Sequence, residues 1–256
     1  MSFFLGFLAS AAIFGVVSLT SAKSADTENR PAEVKVTPSI PITASTLPEK
    51  TQSSSTSVMK APADIPHSGE TELFRAFLSP KPDGHSVIYP VQTGDTLTSI
   101  SKKHHLAVDL VKKINGLTDD KLTVGEKLKL PTYKLSLVVD KAQNRLILKG
   151  DEEVLKTYVV STGSNNSSPV GVFKITDKLI NPTWYKAGIV APPGSPKNLL
   201  GTRWMGITKK GFGIHGTTEP EKLGQQVTAG CIRMKNEEVE ELYGIVPPGT
   251  QVTIHD

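Results

Sequence analysis

Residues 135–176 read LSLVVDKAQNRLILKGDEEVLKTYVVSTGSNNSSPVGVFKIT, a stretch in which apolar and β-branched residues run together or alternate with polar ones. The pattern predicts four strands separated by polar turns: Leu135–Val139, Arg145–Leu148, Val154–Ser161 and Val170–Thr176. Further strands are expected at Phe212–Ile214 and Gln251–Ile254, and one clear helical pattern covers Asn236–Tyr243. Many strands with one or two helices favour a mostly-β α+β fold, a compact sandwich or barrel, over alternating βα units.

A shorter pattern precedes this region. Its predicted elements are, in order, a strand at Tyr89–Gln92, a helix with Leu97 and Ile100 on its buried face, a second helix at Val108–Ile114 and a strand at Lys127–Leu130. Asp95 or Thr96 can cap the first helix. Asn115-Gly116 ends the second, since glycine adopts the left-handed conformation that a helix C-terminus requires. The order indicates a separate βααβ module over residues 88–132.

The residues best suited to catalysis lie in the stretch IHGTTEPEKLGQQVTAGCIRM, residues 214–234. Cys231 is the only cysteine of the chain, so it is either buried and inert or a nucleophile. Its neighbours favour the nucleophile, because Gly230 lets a substrate approach the backbone and frees amides for an oxyanion, and Arg233 adds positive charge. His215, between glycines at a strand end, can form an ion pair with the thiol, lower its pKa and carry its proton.

Composition excludes several other classes of protein. A single cysteine excludes an intramolecular disulfide framework and a Cys-rich zinc site, and none of the six histidines forms an HExxH pattern. Adjacent His104 and His105 are expected to be solvated at a helix end and not to bind metal. A net charge of +4 over 256 residues is too dilute to indicate nucleic-acid binding.

The N-terminal part differs from the rest. Residues 3–19 carry no charge, and their length lies between that of a signal-peptide core and the shortest membrane span. Residues 1–22 are therefore predicted to be a cleaved export signal or a retained membrane anchor, and the remaining chain to be exported. From Ser24 to Ser68 twenty residues are Ser, Thr or Pro and none is aromatic. Residues 23–87 are accordingly predicted to be a disordered linker, with a short amphipathic helix at 70–78.

The region 134–255 resembles the L,D-transpeptidase catalytic domain, the YkuD-like family. The matched segments are Pro169–Phe173, Pro192–Gly194, Gly201–Trp204, Ile214–Thr217, Gly230–Met234 and Gly249–Val252. The resemblance implies that residues 133–256 form the catalytic domain, with Cys231 as nucleophile and His215 as base. It places Thr228 in the Ser/Thr position of the motif, whereas Ala229 stands where many members have a second histidine.

The family's chemistry implies an acyl-enzyme. The Cys231 thiolate would attack the carbonyl between the third and fourth residues of a peptidoglycan stem. Backbone amides near Ala229, Gly230 and Cys231 would hold the oxyanion, and a second stem would complete a 3-3 crosslink. Residues expected at the substrate are Arg233, Thr228, Trp184 and Tyr185. No metal or organic cofactor is needed. Water as acceptor would make a carboxypeptidase and a protein amine an anchoring enzyme. The group that orients His215 stays open between a backbone carbonyl and a side chain.

The βααβ segment resembles a LysM module, a family that binds N-acetylglucosamine chains such as peptidoglycan glycan. The match includes Tyr89, Val91, Ile100, Leu122, Gly125, Leu128 and Pro131. The resemblance places the glycan groove at two loops, formed by Gly94, Asp95, Thr96 and Leu97 and by Asn115, Gly116 and Leu117. The same residues can alternatively serve only as turn and cap residues.

Two rival functions remain at this point. A wall-binding adaptor would carry an inactive large domain, which the intact His215 and Cys231 argue against. A papain-like peptidase would require a helix that begins at the cysteine and a histidine after it, and here the histidine comes first. The expected partners are glycan and stem peptides in the periplasm or cell wall, and no protein partner is inferred.

Overall fold

The computed structural model describes residues 69–186 and 188–256. The predicted export signal and most of the predicted linker lie outside the described residues. The helices are α1 (Glu72–Leu78), α2 (Leu97–Lys103), α3 (Val108–Asn115) and α4 (Asn236–Ile245). The strands are β1 (Gly69–Glu70), β2 (Ser86–Pro90), β3 (Lys127–Pro131), β4 (Leu135–Asp140), β5 (Arg145–Gly150), β6 (Glu153–Val159), β7 (Thr162–Gly163), β8 (Gly171–Ile180), β9 (Trp184–Lys186), β10 (Ile189–Ala191), β11 (Arg203–Ile207), β12 (Gly213–His215), β13 (Gln226–Thr228), β14 (Ile232–Arg233) and β15 (Gln251–His255).

Nine strands form one continuous sheet in the order β1-β6-β5-β4-β15-β8-β11-β12-β14. β15 is parallel to β4 and β12 is parallel to β14, while the other neighbours are antiparallel. Ser161, just after β6, exchanges two backbone hydrogen bonds of 2.7 and 2.9 Å with Arg233 in β14. The sheet therefore curls until its far strand meets the chain that leaves β6. The predicted mostly-β α+β class is confirmed, as one curled sheet and not as a two-sheet sandwich.

The concave core of this sheet follows from strand alternation. On β4, Leu135, Leu137 and Val139 are buried while the residues between them are partly exposed, as a strand with one face on the core requires. Helix α4 adds Val239 and Leu242 to the same core. Packing in this core therefore holds the strands in place, and β12 and β14 lie at one end of the sheet.

The preceding module has the predicted strand–helix–helix–strand order. β2 and β3 pair antiparallel. Thr96 caps α2 through a reciprocal pair of hydrogen bonds with Ser99, and Gly116 ends α3 with φ at +66°, so the helix cap and stop read from the sequence are confirmed. No described helix has the length and apolarity that a membrane crossing demands.

The predicted linker extends too far at its C-terminal end, because residues 69–87 are folded, while the short helix predicted at 70–78 is confirmed as α1. β1 pairs with the edge of β6, and the Thr71 hydroxyl accepts the Phe74 amide at 3.1 Å to begin α1. Phe74 and Phe77 are each only 1% exposed, and the Phe77 ring lies 5.9 Å from that of Tyr133. Burial of the two phenylalanines stabilises the folded form of this segment.

Lys129 of β3 connects the βααβ module to α1. Its side chain is 2% exposed, and Nζ donates to the carbonyls of Ala76 and Ser79 at 3.0 and 2.9 Å and pairs with Asp83 at 2.9 Å. A cation at the C-terminal end of a helix satisfies carbonyls that have no partner within the helix. Since α1 also packs against β6, one hydrophobic core runs through the small module, α1 and the curled sheet.

Phe77→Ala tests this correction. We expect the variant to lose about 3–5 kcal/mol of unfolding free energy, because a fully buried aromatic ring leaves a cavity that the site cannot close. Urea unfolding of the full chain measures the loss. Val124→Ala, at a residue 62% exposed, is the control and should change stability by less than about 0.5 kcal/mol. Equal stability of the two variants would restore residues 69–87 to the linker.

Candidate active site

The two parallel strands β12 and β14 bring His215 and Cys231 together. Ile214 pairs with Ile232 and both are buried, while His215 pairs with Arg233. Because side chains alternate along a strand, His215, Arg233 and Cys231, the residue before β14, lie on the opposite face. A strand spacing of about 4.8 Å and a two-residue rise of about 6.6 Å place the Cα atoms of His215 and Cys231 about 8 Å apart, within reach of their side chains.

The orientation of His215 is set by the backbone. Nδ1 lies 2.7 Å from the Gly216 carbonyl oxygen, and because a carbonyl only accepts, Nδ1 carries the proton and Nε2 keeps its lone pair. The group left open by the sequence is thus a backbone carbonyl. Burial lowers the pKa of His215 to about 4, with a smaller contribution from the Arg233 charge, while the Gly216 hydrogen bond opposes this shift. The imidazole is therefore a neutral base.

Trp204 forms one wall beside this histidine. It pairs with His215 across β11 and β12, and the two rings stack with centroids 6.0 Å apart. Its Nε1 donates to Asp177 at 2.9 Å, which fixes the indole. A side chain at Gly213 would meet the indole at 2.7 Å, so glycine is required there. The sequence indicates Trp204 only as part of the Gly201–Trp204 motif, and its contact with His215 is visible only in the fold.

The Cys231 thiol differs from its predicted state. It is partly buried, and Sγ lies 3.8 Å from the Gly211 carbonyl oxygen. Burial raises the pKa of the thiol above its ordinary value, although a backbone hydrogen bond at Gly213 and the Arg233 charge oppose the shift. The thiolate–imidazolium pair expected from the sequence, with a lowered thiol pKa, therefore runs against the effect of burial, which favours the neutral form of both groups.

Hydrogen bonds within the turn before Cys231 fix its conformation. Gly230 has φ at +119°, and a Cβ there would lie 2.5 Å from the Phe212 ring. Its amide donates to the Thr228 hydroxyl at 3.1 Å, which in turn donates to the Cys231 carbonyl at 2.6 Å. The Gly230 amide is thus already engaged, contrary to its predicted oxyanion role. Thr228 is 5% exposed, and its hydroxyl stabilises the turn in place of the predicted substrate contact.

Arg233 is also engaged within the protein. It is 5% exposed, and Nη1 pairs with Glu219 at 2.7 Å, while its buried Nε has no partner among the described residues. Glu219 offsets part of the guanidinium charge beside His215 and Cys231. The structure thus gives Arg233 an electrostatic role in the site, and its predicted contact with substrate stays a prediction.

Trp184 and Tyr185 lie on a hairpin outside the curled sheet. β9 and β10 pair only with each other, and Tyr185 and Val190 are 72% and 67% exposed. The Asn198 side chain donates to the carbonyls of Pro182 and Ala191 at 2.8 and 3.2 Å, which closes the base of the hairpin. An open cavity of about 440 Å³ extends from this base to the loop that precedes β11. The hairpin presents apolar side chains to solvent, and the contact of Trp184 and Tyr185 with substrate stays a prediction.

The residues predicted to form the glycan groove serve mainly as turn and cap residues. Asp95 accepts the Tyr89 hydroxyl and the Gln92 amide at 2.8 Å each. The Asn115 amide exchanges hydrogen bonds with the Lys129 backbone at 2.7 and 3.0 Å, and Leu97 is buried. Glycan contact by these loops therefore stays a prediction. Across 69–186 and 188–256, no three His, Cys, Asp or Glu side chains come together as a metal site requires.

Comparison with known proteins identifies the families that two regions of the chain match. Residues 134–254 match the model of the L,D-transpeptidase catalytic domain, and residues 89–131 match the LysM domain. The chain is 33% identical over 174 residues to the putative L,D-transpeptidase YkuD of Bacillus subtilis, covering 65% of this chain and 98% of that protein. It is 42% identical over 126 residues to the putative L,D-transpeptidase YqjB of the same organism, covering 47% and 70%. A solved L,D-transpeptidase from Mycobacterium smegmatis superposes with a TM-score of 0.42 at 21% identity, covering 52% of this chain and 65% of that one.

Proposed function

The chain belongs to the L,D-transpeptidase family, and from this premise we propose that it joins peptidoglycan stem peptides by 3-3 crosslinks through a thioester on Cys231. The observation that carries the proposal is the bond from His215 Nδ1 to the Gly216 carbonyl. It leaves Nε2 with a free lone pair on the strand next to the one that Cys231 precedes, and a base within reach of a nucleophile is the minimum that acyl transfer needs.

The acylation step starts from two neutral groups. As Cys231 Sγ attacks the carbonyl between the third and fourth residues of a donor stem, its proton passes to His215 Nε2. The Cys231 amide is the candidate oxyanion donor, with Ala229 beside it, because the Gly230 amide is bonded to Thr228. The imidazolium then protonates the nitrogen of the departing D-Ala, the carbon–nitrogen bond breaks, and a thioester remains.

The second half-reaction reverses these roles. The amine on the third residue of an acceptor stem loses a proton to His215 Nε2 and attacks the thioester carbonyl, and the Cys231 thiol leaves with that proton. Because the resting imidazole is neutral and buried, proton transfer accompanies each attack, and no ion pair forms beforehand. The apolar hairpin that carries Trp184 and Tyr185 would contact the stems from one side.

The βααβ module would hold the enzyme on its substrate. LysM modules imply peptidoglycan binding, and a tethered binding module raises the local concentration of stems without altering the chemistry. We place the protein at the cell wall, exported as the sequence predicts. The loops at Gly94–Leu97 and Asn115–Leu117 would contribute backbone groups to the glycan more than side chains, because most of those side chains are engaged internally.

Mass spectrometry of products tests the proposal. The full chain, incubated with soluble disaccharide-tetrapeptide stems, should give dimers whose mass equals two stems less one D-Ala, with an amide between third residues. Insoluble wall should be used more efficiently than soluble stems if the small module binds glycan. Tripeptide stems alone would identify an L,D-carboxypeptidase, and transfer only to an added protein amine would identify an anchoring enzyme. No conversion of any stem would leave a wall-binding protein.

A further inference from the structure

Asn236, the first residue of α4, holds the chain segment that follows His215. Its Oδ1 accepts the amides of Thr202 and Thr217 at 3.2 and 3.1 Å, and its Nδ2 donates to the Thr217 carbonyl at 2.9 Å. Since amide nitrogens of the backbone donate and carbonyls accept, these partners fix which end of the side chain is oxygen. Both polar atoms of the side chain thus bond to backbone, in the segment that follows His215 and in the loop before β11.

Two glycines pack closely against the oxygen of this side chain. A Cβ on Gly201 or on Gly216 would lie 2.2 Å from Asn236 Oδ1, and Gly201 has φ at +63°. The asparagine oxygen therefore sits between two glycine segments at a distance that only glycine allows. The loop before β11 and the chain after β12 are fastened to the same atom.

The peptide between Gly216 and Thr217 connects this atom to the histidine. A peptide unit is planar and trans, so its N–H and its C=O point in opposite directions. On one side, the Thr217 N–H of this unit donates to Asn236 Oδ1. On the other side, the Gly216 C=O accepts from His215 Nδ1 at 2.7 Å. One rigid plane therefore relates the asparagine oxygen to the imidazole proton.

We propose that Asn236 is a positioning residue that sets the tautomer of His215 through the Gly216–Thr217 peptide. Without Oδ1 the peptide loses the acceptor that fixes its plane, and the Gly216 carbonyl can rotate away from Nδ1. The imidazole would then take up the other tautomer, with its proton on Nε2 and no lone pair facing the thiol. The hydrogen bond from the Thr217 amide to Asn236 also polarises the peptide unit, which strengthens the hydrogen bond from His215 Nδ1 to the Gly216 carbonyl.

The primary test is histidine-¹⁵N NMR of the full chain, with the His215 signals assigned by their loss in His215→Ala. Wild type should show a protonated Nδ1 and a bare Nε2. Asn236→Ala should show a substantial population of the Nε2-protonated form, and turnover of stems should fall by about 10- to 100-fold with a smaller change in KM. Thr71→Ala, which removes side-chain bonds to the Phe74 amide and the Leu155 carbonyl far from the site, should keep the wild-type tautomer and rate.

Asn236→Asp supplies a second readout that does not depend on Asn236→Ala folding. A carboxylate can accept both amide bonds and favours the first turn of a helix, although it cannot replace the Nδ2 donor to the Thr217 carbonyl. Because the proposal assigns the tautomer to the accepted Thr217 amide, the Nδ1-protonated form should persist. Its negative charge, one peptide away from the imidazole, should raise the pKa of His215. An unchanged His215 titration in Asn236→Asp, or a wild-type tautomer in folded Asn236→Ala, would overturn the proposal.

This inference rests on the proposed role of His215 as base, yet the two can fail separately. The tautomer and the titration are read without substrate, so they decide the role of Asn236 even if no crosslinks form. Conversely, if the enzyme forms crosslinks but the His215 tautomer is the same in wild type and Asn236→Ala, the proposed function stands and only the positioning role is removed.

Discussion

Cys231→Ala should abolish acyl transfer, reducing product formation by roughly 10³-fold or more, because no other thiol exists in the chain and the thioester cannot form without it. The fold should survive, since a partly buried cysteine changed to alanine costs only about 1 kcal/mol. Product mass spectrometry measures the first effect and urea unfolding the second.

The informative companion measurement is the intact mass of the protein after mixing with stems. Wild type should carry an acyl group and Cys231→Ala should not. Val227→Ala, at an exposed residue four positions earlier, serves as the control and should acylate like wild type. Turnover retained by Cys231→Ala, or an acyl group found on another residue, would remove the thiol from the mechanism.

Alkylation of the thiol by iodoacetamide should be slow at pH 7 and should accelerate about tenfold per pH unit up to a midpoint above about 8.5. The sign follows from burial: it disfavours the thiolate and raises the pKa of Cys231, so fewer thiolates exist at any given pH than for a free cysteine. His215 adds no positive charge here, because its own pKa is lowered to about 4.

His215→Ala distinguishes a neutral pair from an ion pair. In a neutral pair, removing the ring admits water to the thiol, and the alkylation midpoint should stay or move down toward the ordinary value. In an ion pair, removing the imidazolium would move it up. A rapid plateau below pH 7 in wild type, followed by an upward shift in the variant, would contradict the neutral resting site.

Much of the site could be read from local sequence. A lone cysteine after glycine, and a histidine on a strand between glycines, carry their chemistry in their immediate neighbours. The cap at Thr96 and the stop at Gly116 are local in the same sense. The helix at Glu72–Leu78 is also indicated locally, by Thr71 at its cap and by two phenylalanines three residues apart. The polar composition before it, however, places the predicted end of the linker too far along the chain.

The remainder depends on contacts between distant residues. Asn236 meets Thr217 across nineteen positions, and Trp204 meets Asp177 across twenty-seven, so neither role leaves a mark in local sequence. The effect of burial on His215 and Cys231, which favours their neutral forms, also escapes the sequence for a related reason. A pattern shows that two groups can interact, whereas only the folded surroundings show how much water they lose.

The backbone exchange between Ser161 and Arg233 has a consequence for durability. β14 contains two residues, and at an open margin such a strand would fray and would offer unpaired amides to neighbouring molecules. Ser161 hydrogen-bonds one edge of β14 and β12 hydrogen-bonds the other, so β14 has a partner on both sides. The Cys231 thiol thus lies beside a strand that is protected from edge-to-edge association, in a protein that we propose acts at the cell wall.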